Sequence, residues 1–414
     1  MTNIRKAYLA ERKRKNRCRR HADKRTSELS LTVDDTDRTT WVEASAPSSK
    51  PQAIGDHPKE NFTPSDKSRH HKDSIIWCSK RYIPLELYPH ILGDEPERPP
   101  TPFEIEYCNT KAAQFKYFHQ GKIVIHDKDN ESKIIAIAEF TRWDDITPGE
   151  VEEIGQLTSF LNTAKCFVNA VDSEGRSWGG NMFAIGWRKA MVAFELFGRY
   201  RNKGAIAKAP DVYDNLMQQS QKISSMLGRI FKRLANVAFD SNQELMKEYG
   251  IPSIGHLSFG RPINDDDCAP NLTFTSNRFF NSPHCDKDDL SEFAFGMFIP
   301  VNQTNWSIGG LKSPSRLSGG QFVFPDYRVG IDFSKHDGLV KLVWRSKEVR
   351  HCTLYSTNDE VLDQLGISLQ INKKTASASR DTHSGAIFNR RAFRDKPRDK
   401  CYIGDHETYV KGER

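Results

Sequence analysis

The chain has 414 residues, 37% of them hydrophobic and 28% charged, with a mean hydropathy of −0.66 and a formal net charge of +7. That length suits one large or two modest domains, and the low hydropathy predicts that part of the chain does not fold. No apolar run approaches the roughly 18–20 residues a membrane span needs. The charged start has no apolar signal-peptide core, and the eight cysteines form no C-x-x-C pair, so they read as reduced intracellular thiols.

Residues 1–75 are expected to be a disordered basic tail, since few large apolar side chains are present to offset ordering entropy. Residues 1–30 hold eleven Lys/Arg against three acids, a net of +8, which leaves −1 for the rest of the chain. The block Arg12-Lys-Arg-Lys-Asn-Arg-Cys-Arg-Arg20 suits a nuclear localisation signal or a nucleic-acid clamp, and a solvated tail is the plain alternative. The expected location is nuclear, otherwise cytoplasmic.

Order is expected from about residue 76 to 375. Lys122–His126 and Ile134–Phe140 read as strands around an Asp127–Glu131 turn. Helical support is expected over about 148–250. Pro148-Gly-Glu opens one helix, and early acids suit a helix N-terminus. Met182–Tyr200 shows apolar residues at three- and four-residue intervals and predicts another helix. Asp211–Tyr249 reads as a long amphipathic stretch of one or two helices, ending at Gly250. From about 255 to 375 the pattern turns to short apolar runs, Phe293–Val301, Gly320–Phe324, Val329–Phe333 and Leu339–Trp344, punctuated by glycine turns. Residues 376–414 are polar and basic and are expected to form a loosely held tail.

His284-Cys285-Asp286 and the distal His351 carry the chemistry. Two imidazoles and a carboxylate are the facial triad that holds non-haem Fe(II) and leaves adjacent positions open. The same three residues also suit Zn²⁺ with a water. The strand-and-glycine pattern between them fits a metal at the mouth of a small antiparallel β-barrel, which favours iron. Cys285 and Cys352 each follow a ligand histidine and are expected to face away from the metal.

Asn281-Ser-Pro-His284-Cys-Asp286-Lys-Asp-Asp289, Phe295–Pro300, Gly319–Pro325, Trp344, His351-Cys-Thr353 and Leu365-Gly-Ile-Ser-Leu-Gln370 together resemble the Fe(II)/2-oxoglutarate dioxygenases. Within these the chain looks like the fungal branch of the ten-eleven-translocation/J-base-binding-protein (TET/JBP) group. It covers about residues 100–375. It implies an α+β fold: a double-stranded β-helix (jelly-roll, cupin-like) barrel buttressed by N-terminal helices. It also implies Fe(II), 2-oxoglutarate and O2, and oxidation of the methyl group of 5-methylcytosine or thymine in DNA. DNA is the expected partner, reached through the basic tail and the active-site face, with no membrane and no obligate protein partner. Asn281 and Asp289 are then expected at the substrate, Asp289 accepting a hydrogen bond from a flipped base.

One departure stands out. Such enzymes carry an arginine after the distal histidine for the far carboxylate of 2-oxoglutarate, and residues 357–368 contain none. Gln364 is expected at that position, with Ser368 donating to the same carboxylate and Lys373 reaching in from elsewhere. Arg350 is expected to diverge from His351, because neighbours on a strand point to opposite faces. Two rival readings follow: an oxygenase of a non-DNA substrate, and a catalytically degenerate barrel that only binds nucleic acid.

Overall fold

The computed structural model describes residues 43–44, 73–81, 86–91, 98–171, 177–311, 317–356 and 361–411. Nearly all of the expected basic tail, including the 12–20 block, lies outside the described residues. The first strands are β1 (Glu43–Ala44), β2 (Ser74–Cys78), β3 (Lys116–Phe118), β4 (Lys122–Asp127) and β5 (Asn130–Arg142). They are followed by β6 (Gly179–Lys189), β7 (Glu195–Arg199), β8 (Asn271–Phe280), β9 (Ala294–Asn302) and β10 (Phe322–Phe324). The last are β11 (Val329–Ile331), β12 (Gly338–Trp344), β13 (Cys352–Thr353), β14 (Leu362–Leu369) and β15 (Tyr402–Ile403). An eleven-stranded sheet has the order β1-β2-β4-β5-β12-β9-β14-β8-β6-β7-β15, and a four-stranded sheet runs β13-β10-β11-β3.

Strands β8, β14, β9 and β12 of the large sheet face the small sheet across an aromatic interior. Phe298 of β9 meets Phe322 of β10 at 5.5 Å and Phe333 at 4.8 Å, and Trp344 of β12 meets Phe322 at 5.2 Å. This is the double-stranded β-helix, in which two facing sheets leave a cavity between them. The opposite face of the large sheet is covered by helices. They are α2 (Pro148–Ala164), α3 (Lys203–Lys208), α4 (Pro210–Met217), α5 (Ser220–Leu234) and α6 (Asn236–Tyr249), while the first helix, α1 (Pro102–Ala112), packs beside the small sheet. Phe231 of α5 stacks on Phe295 of β9 at 4.9 Å. Leu365, Ile367 and Leu369 of β14 join the same buried cluster. Strand alternation therefore turns Gln364, Gly366 and Ser368 toward the barrel interior.

Local chemistry sets the element ends. Thr147 and Glu150 form a reciprocal capping box ahead of α2, with Pro148 in its first turn, satisfying amides that the helix leaves unpaired. Gly250 closes α6 at φ 59°, a left-handed position that suits glycine. The 122–140 strands and the barrel runs form as expected, while the 211–249 stretch divides into three helices, breaking at Gln218–Gln219 and Ala235.

Two expectations are corrected. Met182–Tyr200 is not a helix but the β6–β7 pair, with Trp187 opposite Arg199. Residues 184–188 are all buried, so both strand faces are covered and the polar alternation that would betray a strand is lost. Gly186, at φ 104°, sits where a Cβ would come 2.5 Å from the Pro270 carbonyl. Residues 373–411 are likewise not loosely held. They form α7 (Lys373–His383), β15 parallel to β7, and α8 (His406–Val410). Ile387, Phe393 and Tyr409 are buried there, and three apolar anchors in a polar segment give little periodic signal.

Asp267 ties the segment before β8 to α5. Fully buried, it accepts from Ser253 Oγ at 2.6 Å, Ser224 Oγ at 3.1 Å and the Asn264 amide at 2.8 Å, with His256 Nε2 at 3.2 Å. Burial opposes its ionisation, but the hydrogen bonds from His256, Ser253 and Asn264 outweigh that and hold its pKa below the usual value. Its stabilisation is therefore complete above an unfolded carboxyl pKa of about 3.9. It is lost as pH falls through the lower folded value. Asp267→Asn is expected to cost about 3 kcal/mol at neutral pH and to flatten the acid limb of a stability–pH curve measured by urea unfolding.

Among the described residues, no helix is long and apolar enough to cross a membrane.

Candidate active site

The connection from β8 to β9 runs back against the start of β13, and this brings the triad together. His284 and His351 exchange backbone hydrogen bonds, His284 N–H to His351 O at 3.0 Å and His351 N–H to His284 O at 2.9 Å. The Asp286 amide donates to Ser346 O at 2.9 Å. Three residues from two distant parts of the chain are thereby fixed by backbone rather than by side-chain adjustment. Their ligand atoms all lie within 4.8 Å of one another. Asp286 Oδ1 is 3.7 Å from His284 Nε2, and Oδ2 is 3.5 Å from His351 Nε2.

Each imidazole is oriented through its other nitrogen. His284 Nδ1 lies 2.7 Å from Ser282 O, and His351 Nδ1 lies 3.0 Å from Val349 O. A carbonyl only accepts, so each Nδ1 carries a proton and each Nε2, on the Asp286 side, is the nitrogen left to bind a metal. His351 is buried, stacked on Phe322 at 5.5 Å and edged by Trp344 at 5.4 Å. Two imidazoles oriented through Nδ1 and one carboxylate, with one side open to a cavity, fit a divalent iron.

That cavity has a volume of about 580 Å³, within the range of small-molecule sites. Its wall includes Asn281, Asp289, Ser368 and the triad, so most of the expected site residues do converge. Asn281 is partly structural, its Oδ1 accepting from the Thr353 amide at 2.9 Å. Asp289 is buried beside the Asn372 bridge. Ser368 Oγ lies 3.4 Å from Gln370 Oε1. Trp344 also borders the cavity, and its buried Nε1 has no acceptor among the described residues.

Two expected residues stand apart. Gln364 borders two smaller hollows and not the triad cavity. Lys373 Nζ instead donates to Lys287 O at 3.0 Å, and its neighbour Lys374 is the one on the cavity wall. Arg350 does diverge from His351, with Nε 3.6 Å from Asp326. Cys352 faces away into a separate buried cluster, but Cys285 borders the triad cavity, and burial pushes its thiol pKa up.

Sequence reasoning missed Arg188, Lys189 and Tyr200, which reach the cavity from the β6–β7 hairpin. The signal lay in Gly179-Gly180 and Gly186, which argue for a strand and against a helix. Arg188 is 6% exposed and pairs with the fully buried Glu195 at 3.0 Å. Arg201 approaches the same carboxylate at 3.7 Å, and Tyr409 Oη donates to it at 2.9 Å.

A double-stranded β-helix carrying a His-x-Asp…His triad at its mouth defines a non-haem iron oxygenase. Residues 147–356 match the model of the Tet-like 2OG-Fe(II) oxygenase superfamily, and the chain belongs to that superfamily. It is a 2-oxoglutarate-dependent dioxygenase that uses Fe(II). Among solved structures, the chain is similar to NgTET1 in complex with 5mC DNA, at 12% identity over 64% of this chain and 82% of that one, TM-score 0.37. A 2OG-Fe(II) oxygenase family oxidoreductase from Burkholderia pseudomallei gives 12% identity over 57% and 88%, TM-score 0.28. A prolyl-4-hydroxylase from Pseudomonas putida gives 13% identity over 59% and 96%, TM-score 0.27. No curated protein matches the chain. The assignment rests on the family match and the triad.

Proposed function

We propose that this enzyme oxidises the methyl group of a modified base, 5-methylcytosine or thymine, in DNA. The observation that carries the reading is the charge around the triad cavity. Exposed Lys189, Lys287 and Lys374 stand on its wall and so at its mouth. Lys374 belongs to a folded basic segment, residues 373–400, with nine Lys/Arg against three acids. That segment packs on the β6–β7 hairpin through Leu196, Ile387 and Phe393, the hairpin that also lends Arg188 and Lys189 to the cavity wall. A polyanion lying along this face would place one unit over the opening.

A methyl group on a stacked base is out of reach, so the base must leave the stack and enter the cavity. Bound Fe(II), with 2-oxoglutarate and O2, supplies the methyl oxidation, coupled to release of succinate and CO2. His284, Asp286 and His351 would hold the metal. Asp289, buried on the cavity wall, offers a carboxylate that can accept the exocyclic amino hydrogen of a cytosine. The lysines at the mouth would grip the flanking phosphates.

Succinate release that rises several-fold with methylated over unmethylated DNA, with a hydroxymethyl base found by mass spectrometry, is the expected result. Succinate release indifferent to every DNA would overturn the DNA reading and favour another substrate. For the face itself, the triple variant Arg391→Glu, Arg394→Glu, Arg398→Glu alters three exposed cations. It is expected to reduce the slope of log affinity against log salt by about 2–3, since each lost phosphate contact removes about 0.9. An unchanged slope would show that DNA does not lie on this segment.

A further inference from the structure

We infer that Arg278 of β8 receives the distal carboxylate of 2-oxoglutarate, in place of the arginine that β14 lacks. The inference rests on the superfamily's use of 2-oxoglutarate and identifies the cation that completes the site. A second hollow lies beside the triad cavity. The two share Thr275, Phe279, Phe298, Thr353 and Gly366 as walls, so they are parts of one barrel interior. Arg278 is the only Lys or Arg on the wall of the second hollow among the described residues. A co-substrate held at the triad and reaching from the first hollow into the second would come to the wall that carries Arg278.

The backbone there is built to place that side chain. Asn277 and Arg278 both adopt φ 58°, a left-handed conformation that non-glycine residues keep only where the surroundings hold them in it. The Asp363 carboxylate holds them, accepting from the Asn277 amide at 2.5 Å and the Arg278 amide at 3.0 Å. It also accepts from the Gln364 amide at 2.9 Å. In the pairing with β6, Gly179 faces Phe280 and Asn181 faces Ser276, so residues 277–279 bulge opposite Gly180 alone. Gly180 is required: at φ 70°, a Cβ there would lie 2.6 Å from the Phe279 backbone. Bulges of this kind re-aim a side chain beside an active site.

The neighbouring strand leaves room for it. The β14 residue on the shared wall is Gly366, not Gln364. Its amide donates to Thr275 Oγ1 at 3.2 Å, and a Cβ at 366 would meet that oxygen at 2.8 Å. A long cation cannot stand at 366 without displacing Thr275. The charge is supplied instead from β8, one strand away, and a guanidinium suits a carboxylate by bidentate, charge-assisted bonding.

The test is an anaerobic titration of the full-length Fe(II)-loaded protein, following the visible charge-transfer absorption of the iron-bound 2-oxo acid. Two probes are used: 2-oxoglutarate, and 2-oxobutanoate, which has the same chelating end but no distal carboxylate. Arg278→Ala is expected to weaken 2-oxoglutarate binding by about tenfold to a hundredfold and to leave 2-oxobutanoate binding within twofold. Arg278→Lys, which keeps the charge and the side-chain bulk, should fall between wild type and Arg278→Ala. The inference is overturned if Arg278→Ala binds 2-oxoglutarate like wild type, or if both acids weaken equally, which would mark a merely structural role. If Arg278→Ala does not fold, equal weakening of both acids in Arg278→Lys overturns it in the same way. Wild-type protein that retains iron yet shows no absorption change with either acid would instead overturn the 2-oxoglutarate assignment itself.

Discussion

Asp286→Ala is expected to lower Fe(II) affinity roughly a hundredfold or more and to abolish succinate release, with the fold intact. Loss of a residue that merely orients a metal ligand already costs about 10–100-fold, and Asp286 is a ligand and the only anion in the triad. Its side chain is not buried core: its backbone is held by the Ser346 carbonyl and its carboxylate faces the cavity. Thermal melting of the metal-free protein should therefore shift by no more than a few degrees. Iron content after desalting, measured by a chromogenic chelator, checks the first part. Full iron retention with unchanged turnover in this variant would refute the metal centre.

Glu195→Ala is expected to be the most damaging single change outside the metal centre. Glu195 is fully buried and is the shared anion for Arg188 and Arg201, while Tyr409 Oη donates to it from α8. Nearby Arg199 is also buried, over the Trp187 ring at 5.0 Å. Removing the carboxylate leaves buried guanidinium groups without their counter-charge, and breaking a buried pair in this way costs about 3–5 kcal/mol. That corresponds to a drop in melting temperature of about 4–8 °C for a chain of this size. Glu195→Gln keeps the shape and one acceptor oxygen and should lose less. Because Arg188 borders the triad cavity, surviving protein should also show weaker substrate binding. A melting temperature within a degree of wild type would show that the arginines do not depend on Glu195.

The barrel was legible because its strands are short apolar runs between glycine turns, and the triad because its residue types sit at strand ends. What escaped was masked by burial. Strand β6 is enclosed on both faces, so Phe183 and Trp187 carried an accidental helical spacing. The C-terminal segment is held by a few anchors, Ile387, Phe393 and Tyr409, within a polar run. For the co-substrate carboxylate, counting forward from His351 along one strand pointed to Gln364. Gln364 does line the second hollow, and so does Arg278, which the β8 bulge opposite Gly180 brings there. No local pattern around residue 278 announces that.

The position of β14 sets the order in which the protein can assemble on the ribosome. It pairs with β9 on one side and β8 on the other, yet it is the last barrel strand to be synthesised. Until residue 369 has emerged from the exit tunnel, β6–β8 and β5–β12–β9 are separate half-sheets, each with an open edge facing its missing neighbour. Such edges invite pairing with other chains. Nascent chains of this enzyme should therefore depend on chaperones between synthesis of β8 and of β14, and cuts placed at residue 356, where the family match ends, should yield insoluble protein.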